Sequence, residues 1–227
     1  MEDLVGPSPP YPNADYLFRS VGVVAELKRL AEDKSQDAAL RSKISALYHS
    51  WMEEGLVGLA YGQVQIQSHT LPIQCQRELM EICAKPLKYL IQTANRQIKS
   101  TIAKLSVDGG KGLLIVANDG NYLLEPHATL DVIGRVLGKR YRSINSIIYF
   151  TVNVYVESDP GSGPTLVWLH AARDSIPAVD YHFVDDLFTA WRAYLGRVIG
   201  QDIGLVKLES REAVSGLRLQ RGARDRG

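Results

Sequence analysis

The sequence predicts an α/β fold in which a mixed central sheet is flanked by helices. Three observations carry this expectation. Strand-like runs and amphipathic helical patterns succeed one another along the chain. Gly112 to Ala117 is wholly apolar, as suits a strand covered on both faces and hence the centre of a sheet. An apolar fraction of 45% over 227 residues is ample for a packed core.

Residues 1–13 form a proline-rich lead-in, with Gly-Pro-Ser-Pro-Pro-Tyr-Pro reading as extended chain. A hairpin over about 14–29 follows, turning at Arg19-Ser20 and Gly22. Leu40, Ile44, Leu47, Tyr48 and Trp51 recur at helical spacing from about Ser35 and end near Gly55. Leu56 to Gln67 ends in an apolar/polar alternation and reads as the third strand. A helical pattern runs from Gln74 to Lys85, where Pro86 is expected to interrupt it and open a second helix. Leu87, Ile91, Ala94, Ile98, Ile102 and Leu105 form the buried stripe of that second helix, and Lys88, Gln92, Arg96 and Lys99 its polar face.

After the strand at 112–117, Asn118-Asp119-Gly120-Asn121 is turn chemistry, and a helix over 125–137 packs through Leu130, Ile133 and Leu137. Ile144 to Val156 reads as a strand, Asp159 to Pro164 as a loop and Thr165 to His170 as a last strand. Val184, Leu187, Phe188, Trp191, Leu195, Val198 and Ile199 mark a final helix, and a basic tail begins at 209. The expected organisation is one domain over 14–208, with its core at 14–118 and an extension of sheet and helix at 119–208.

Composition narrows the function classes. A formal net charge of +1 supplies no global basic field, so any contact with nucleic acid has to come from a local patch. No stretch approaches the roughly 20 apolar residues that span a bilayer, and the acidic start carries no apolar signal core, so a cytoplasmic address without membrane contact is expected. Cys75 and Cys83 fit no zinc spacing and read as reduced, apolar-like residues on or near a helix. The histidines at 49, 69, 127, 170 and 182 show no pair at metal-ligand spacing. Gly109-Gly110-Lys111-Gly112 lacks the spacing and hydroxyl of a phosphate-binding loop. Asp119 is best explained by its turn, and Asp185 and Asp186 as charges near the start of the final helix.

The informative stretch is the hairpin. Period-two alternation puts Val24, Glu26 and Lys28 on one face of the second strand, and the turn folds the strand that follows Asp15 back beside it. Asp15 and Glu26 can then converge, with an amine beside them. Two carboxylates and a strand carbonyl are oxygen ligands suited to a hard divalent cation, and an adjacent ammonium suits stabilisation of charge at phosphorus. Lysine and glutamate also protect sheet edges, which is the plain structural alternative.

With Asp15 in the first strand, Glu26-Leu27-Lys28 in the second, and strand, helix and strand following, residues 12 to about 118 resemble the PD-(D/E)xK, or restriction endonuclease-like, nuclease superfamily. That resemblance implies a metal-dependent DNA endonuclease that hydrolyses phosphodiester bonds. Asp15, Glu26 and the Leu27 carbonyl would hold Mg²⁺, with Mn²⁺ as a substitute, and Lys28 would position the attacking water. It also implies that Gln97, on the helix after Pro86, assists at the metal site. Lys88, Arg96 and Lys99 are candidate contacts to the phosphodiester backbone. DNA is the expected partner, and a homodimer is allowed.

The chain departs from the family pattern in two places. Two residues separate Pro12 from Asp15, and the first core helix, which often contributes a glutamate, is apparently missing, with no helix to carry Glu2. The alternative function is therefore a catalytically inactive, nuclease-like domain that binds nucleic acid or protein. An unrelated α/β protein with structural charges in its hairpin is a third reading.

Overall fold

The computed structural model describes residues 11–60, 62, 70–139, 141–157, 165–173, 176–200, 205–208 and 217–220. Its strands are β1 (Tyr16–Phe18), β2 (Val23–Leu30), β3 (Lys111–Asn118), β4 (Ser146–Thr151), β5 (Tyr155–Glu157), β6 (Leu166–Ala172), β7 (Leu205–Leu208) and β8 (Arg218–Gln220). The helices are α1 (Ala38–Glu53), α2 (Ile73–Lys104), α3 (Pro126–Lys139) and α4 (Tyr181–Ile199). Six strands form a mixed sheet in the order β1-β2-β3-β4-β6-β7, and β5 pairs separately with β8. The pairs β2–β3, β3–β4 and β6–β7 are parallel, whereas β1–β2 and β4–β6 are antiparallel. No helix among the described residues is long and apolar enough to cross a membrane.

Alternation along the strands divides the core into two layers. Val24, Leu114, Val116, Tyr149 and Leu169 pack with Leu87, Ile91, Ala94 and Ile98 of α2 and Ile133 and Leu137 of α3. Val23, Ala25, Leu113, Ile148, Phe150 and Trp168 face the other way, with Val184, Phe188 and Trp191 of α4. β3, apolar on both faces as its sequence requires, lies near the middle of the sheet. The hairpin turn is a short helical turn at Arg19–Val21, closed by Gly22 in the left-handed region at φ 63°, where glycine carries no steric penalty.

Three expectations are corrected. Pro86 does not divide the helical segment: α2 runs unbroken for 32 residues with Pro86 inside it. An interior proline costs about 3 kcal/mol through its lost hydrogen bond and its clash one turn back. Leu87, Ile91 and Ile98 continue the stripe of Cys83 and Ala84, all buried, and at roughly 1.5–3 kcal/mol for each large apolar side chain this burial outweighs a break. The expected strand over 144–156 is two strands. β4 ends where the Thr151 hydroxyl accepts the Val167 N–H at 2.9 Å, and β5 leaves the sheet to pair with β8. The sequence from 209 is accordingly not all tail, since Arg218 lies in β8 opposite Glu157.

Of the expected third strand, Leu56–Ala60 and Gly62 are irregular, and the remainder to Gln67 lies outside the described residues. The lead-in before Tyr11 and the loop from Asp159 to Pro164 include or form segments outside them as well.

Gly112 opens β3 beneath α2. A Cβ there would meet the Ser143 carbonyl oxygen at 1.8 Å and Ile98 Cγ2 at 2.7 Å. Replacing it with alanine should destabilise the fold by about 1–3 kcal/mol, the usual scale for overpacking. Denaturant unfolding measures this, and a variant as stable as the parent would show that the backbones do not approach so closely.

Candidate functional site

β1 and β2 pair with Tyr16 opposite Ala25, so Asp15, one residue before β1, stands opposite Glu26. Side chains replace the backbone rung at this position. The Asp15 N–H donates to Glu26 Oε2 at 3.2 Å, and the Leu27 N–H donates to Asp15 Oδ2 at 2.8 Å. The two carboxylates thus hold each other's strand. In a strand, a residue's N–H and C=O leave the chain on the same side, so the Leu27 carbonyl also faces the Asp15 edge.

Lys28, two residues beyond Glu26 and on the same face, donates to Glu26 Oε1 and, at 2.9 Å, to Gln97 Oε1. Gln97 in turn donates through Nε2 to the Asn13 carbonyl at 3.0 Å. One turn along α2, the Thr101 hydroxyl accepts the N–H of fully buried Ala14 at 2.7 Å. Helix α2 therefore grips the segment before β1 through two side chains and orients the ammonium through one of them.

The environments of the two acids differ. Glu26 is 1% exposed, whereas Asp15 lies at the exposed edge. Burial pushes the Glu26 pKa above the ordinary carboxylate value. The hydrogen bond and charge of Lys28 and the Asp15 N–H oppose the rise, and the Asp15 charge adds to it. Asp15 Oδ1 has no hydrogen-bond partner among the described residues. An open carboxylate oxygen, a buried carboxylate and a strand carbonyl constitute an all-oxygen donor set suited to Mg²⁺. No group of three or more His, Cys, Asp or Glu gathers among the described residues. Mg²⁺ ordinarily takes one or two carboxylates and keeps waters and phosphate oxygens in its other positions, so this set fits it.

The sequence-predicted site residues thus separate into groups. Asp15, Glu26, the Leu27 backbone, Lys28 and Gln97 come together. Lys88 does not: its ammonium pairs with Glu81, nine residues and roughly 13 Å along the helix from Gln97. Arg96 and Lys99 are exposed on the half of α2 that carries Gln97. Thr101 escaped the sequence reading, although its position four residues after Gln97, on the same flank of the helix, was an available signal.

Other candidates have structural explanations. Arg29 and Asn153 both donate to the Asp119 carboxylate, and the Asn118 side chain closes its turn on Asn121. Asp180 caps α4, so the helix starts earlier than its apolar pattern suggests, and Asp185 pairs with Lys207 instead of serving the helix start. Cys75 and Cys83 are free and buried. His170 is held below its ordinary pKa by burial and by the Lys207 charge, and His69 lies outside the described residues. Compared with protein-family models, curated proteins and solved structures, the chain matches none.

Thr101→Val keeps the shape of the side chain but leaves the buried Ala14 N–H without an acceptor. Unfolding free energy should fall by about 1–3 kcal/mol, and a neutral substitution would mean that this bond does not hold the lead-in. For Glu26, a pKa raised in the folded state means that the ionised group weakens the fold. Stability drawn from this residue is greatest below the ordinary carboxylate pKa and declines as pH rises through the raised value. The stability of the parent relative to Glu26→Gln should therefore fall over that window in pH-resolved denaturation, and a rise would contradict the assigned direction.

Proposed function

We propose that this chain is a Mg²⁺-dependent phosphodiesterase acting on DNA, built on a restriction endonuclease-like core. The observation that carries the reading is the meeting of Asp15 and Glu26 on one antiparallel rung, with the Lys28 ammonium bonded to Glu26 and braced by Gln97. A protective charge on a sheet edge has no need of a 1% exposed glutamate or of a glutamine reaching across from a helix.

Asp15, Glu26 and the Leu27 carbonyl would hold Mg²⁺, or Mn²⁺ in its place, which when bound supplies positive charge to phosphoryl oxygens and lowers the pKa of water. Lys28 donates toward the water that attacks phosphorus and offsets the negative charge that develops in the transition state. Gln97 fixes the direction of that ammonium by accepting one of its protons. Water adds to phosphorus, a P–O ester bond breaks, and the products are a phosphate monoester and an alcohol. Glu26 must be ionised to serve as a ligand, so its raised pKa makes cation affinity increase with pH.

Supercoiled, linear, single-stranded and branched DNA should be offered with Mg²⁺ or Mn²⁺ to the parent, Glu26→Ala and Lys28→Ala. Cleavage is expected in the parent and a loss of about 10²–10³-fold in each variant, and cutting that survives both substitutions would remove the site from the chemistry. With an active substrate in hand, the half-saturating Mg²⁺ concentration should decrease as pH rises above the ordinary carboxylate range. A pH-independent value would detach Glu26 from the cation.

A further inference from the structure

A second feature of α2 lies on its other flank. Lys99, Ile102, Gly110, Arg142, Ser143 and Pro177 are among the residues lining an open cleft of about 420 Å³, and none of its lining residues is acidic. Both cations are exposed, and neither makes an ion pair among the described residues. The wall is braced: the Ser143 N–H donates to Asn95 Oδ1 at 3.2 Å, and Asn145 accepts the Gly112 N–H while donating to the Pro177 carbonyl, both at 2.8 Å. Tyr141, just before Arg142, has φ 63°, and its carbonyl accepts from the Arg173 guanidinium at 3.1 Å. The cleft is therefore a preformed, cationic and partly apolar recess.

Its position follows from helix geometry. At about 100° per residue, Gln97 and Lys99 point to opposite flanks of α2, and Arg96 projects outward between them. Gln97 reaches the Asp15–Glu26 site, while Lys99 lines the cleft. Arg96 is exposed and has no partner among the described residues. A row of uncompensated positive charge thus crosses the helix from the candidate site to the cleft. A helix is about 10–12 Å across, and one DNA strand carries a phosphate about every 3.4 Å of axis, so the row spans about three to four nucleotides.

We infer that the Lys99–Arg142 cleft seats the phosphodiester backbone of a DNA strand that enters the Asp15–Glu26 site and crosses α2 over Arg96. This rests on the phosphodiesterase reading above and adds that the substrate is a strand several nucleotides long. Lys88, already paired with Glu81, is not part of the path.

The test is fluorescence anisotropy of a dye-labelled DNA strand in EDTA, so that binding is read without cleavage, over a series of salt concentrations. For Lys99→Ala/Arg142→Ala, affinity should drop on the order of tenfold at physiological salt, and the slope of log K against log salt should shrink by about 2. Lys99→Arg and Lys88→Ala should keep the parent slope, and binding of a labelled dinucleotide should be unaffected in the double variant. An unchanged slope in the double variant, or an equal loss in Lys88→Ala, overturns the cleft. A reduced slope supports it whether or not DNA is cut, because failure to cleave bears on the Asp15–Glu26–Lys28 chemistry alone. Both substituted side chains are exposed, and unfolding curves matching the parent confirm that the comparison concerns folded protein.

Discussion

Glu26 is the constraint on which the hairpin half of the molecule depends. A carboxylate on the helix-covered face of an otherwise apolar sheet is the costliest kind of side chain to place there, because burial removes its hydration. Its neighbours meet that cost from three directions. The Asp15 N–H supplies one donor, Lys28 supplies a second together with a countercharge, and Gln97 holds Lys28 in place. Truncating one partner would strand the others, since a buried charge that loses its complement is destabilising by about 3–5 kcal/mol. A well-packed apolar replacement of the whole set would often be neutral or stabilising. The arrangement is better explained by what it can bind than by what it adds to the fold.

The length of α2 follows from the same requirement. Its N-terminal end meets α1, where Trp51 donates to Glu78 at 2.8 Å, and its C-terminal half must reach the segment before β1 with Gln97 and Thr101. A break at Pro86 would have allowed the two halves to pack independently on the sheet. Continuity instead fixes the rotation of the helix about its axis, because Ala84, Leu87, Ile91, Ala94 and Ile98 must all face the strands. With that stripe fixed, Gln97 is directed to one flank and Lys99 to the other. Packing of the apolar core thus decides where the polar chemistry points.

Where the sequence was informative, the reason is physical periodicity. Alternation in β2 put Glu26 and Lys28 on one face, and Gly22 with its polar neighbours marked the turn that sets Asp15 opposite Glu26. The apolar run at 112–117 located the centre of the sheet for the same reason. Local chemistry misleads at Pro86, whose intrinsic preference yields to a buried stripe on either side of it. It is also insufficient at 144–156, where β propensity is high throughout but the partner strand changes. β7 and β8 are short strands whose pairing is distant in sequence, and nothing local marks them. Arg142 belongs to the same category: it joins Lys99 only because the chain between α3 and β4 passes the end of α2.

Two lysine–carboxylate pairs in this structure show why such a pair is not itself evidence of chemistry. Lys207 pairs with Asp185 while lying over the rings of Tyr181 and Phe188 and bonding to the Tyr181 hydroxyl. Each of those contacts ends on the lysine, and together they tie β7 to α4. Lys28 and Glu26 are arranged differently. Their contacts lead from a buried acid through an oriented ammonium to a second acid at the exposed edge, which retains an oxygen without a partner among the described residues. The first set is closed on itself and completes a packing contact; the second leaves its open oxygen at the place where a cation or a phosphate can approach. That asymmetry, one pair saturated and the other unfinished, separates the candidate site from ordinary stabilisation more sharply than the identity of the residues does.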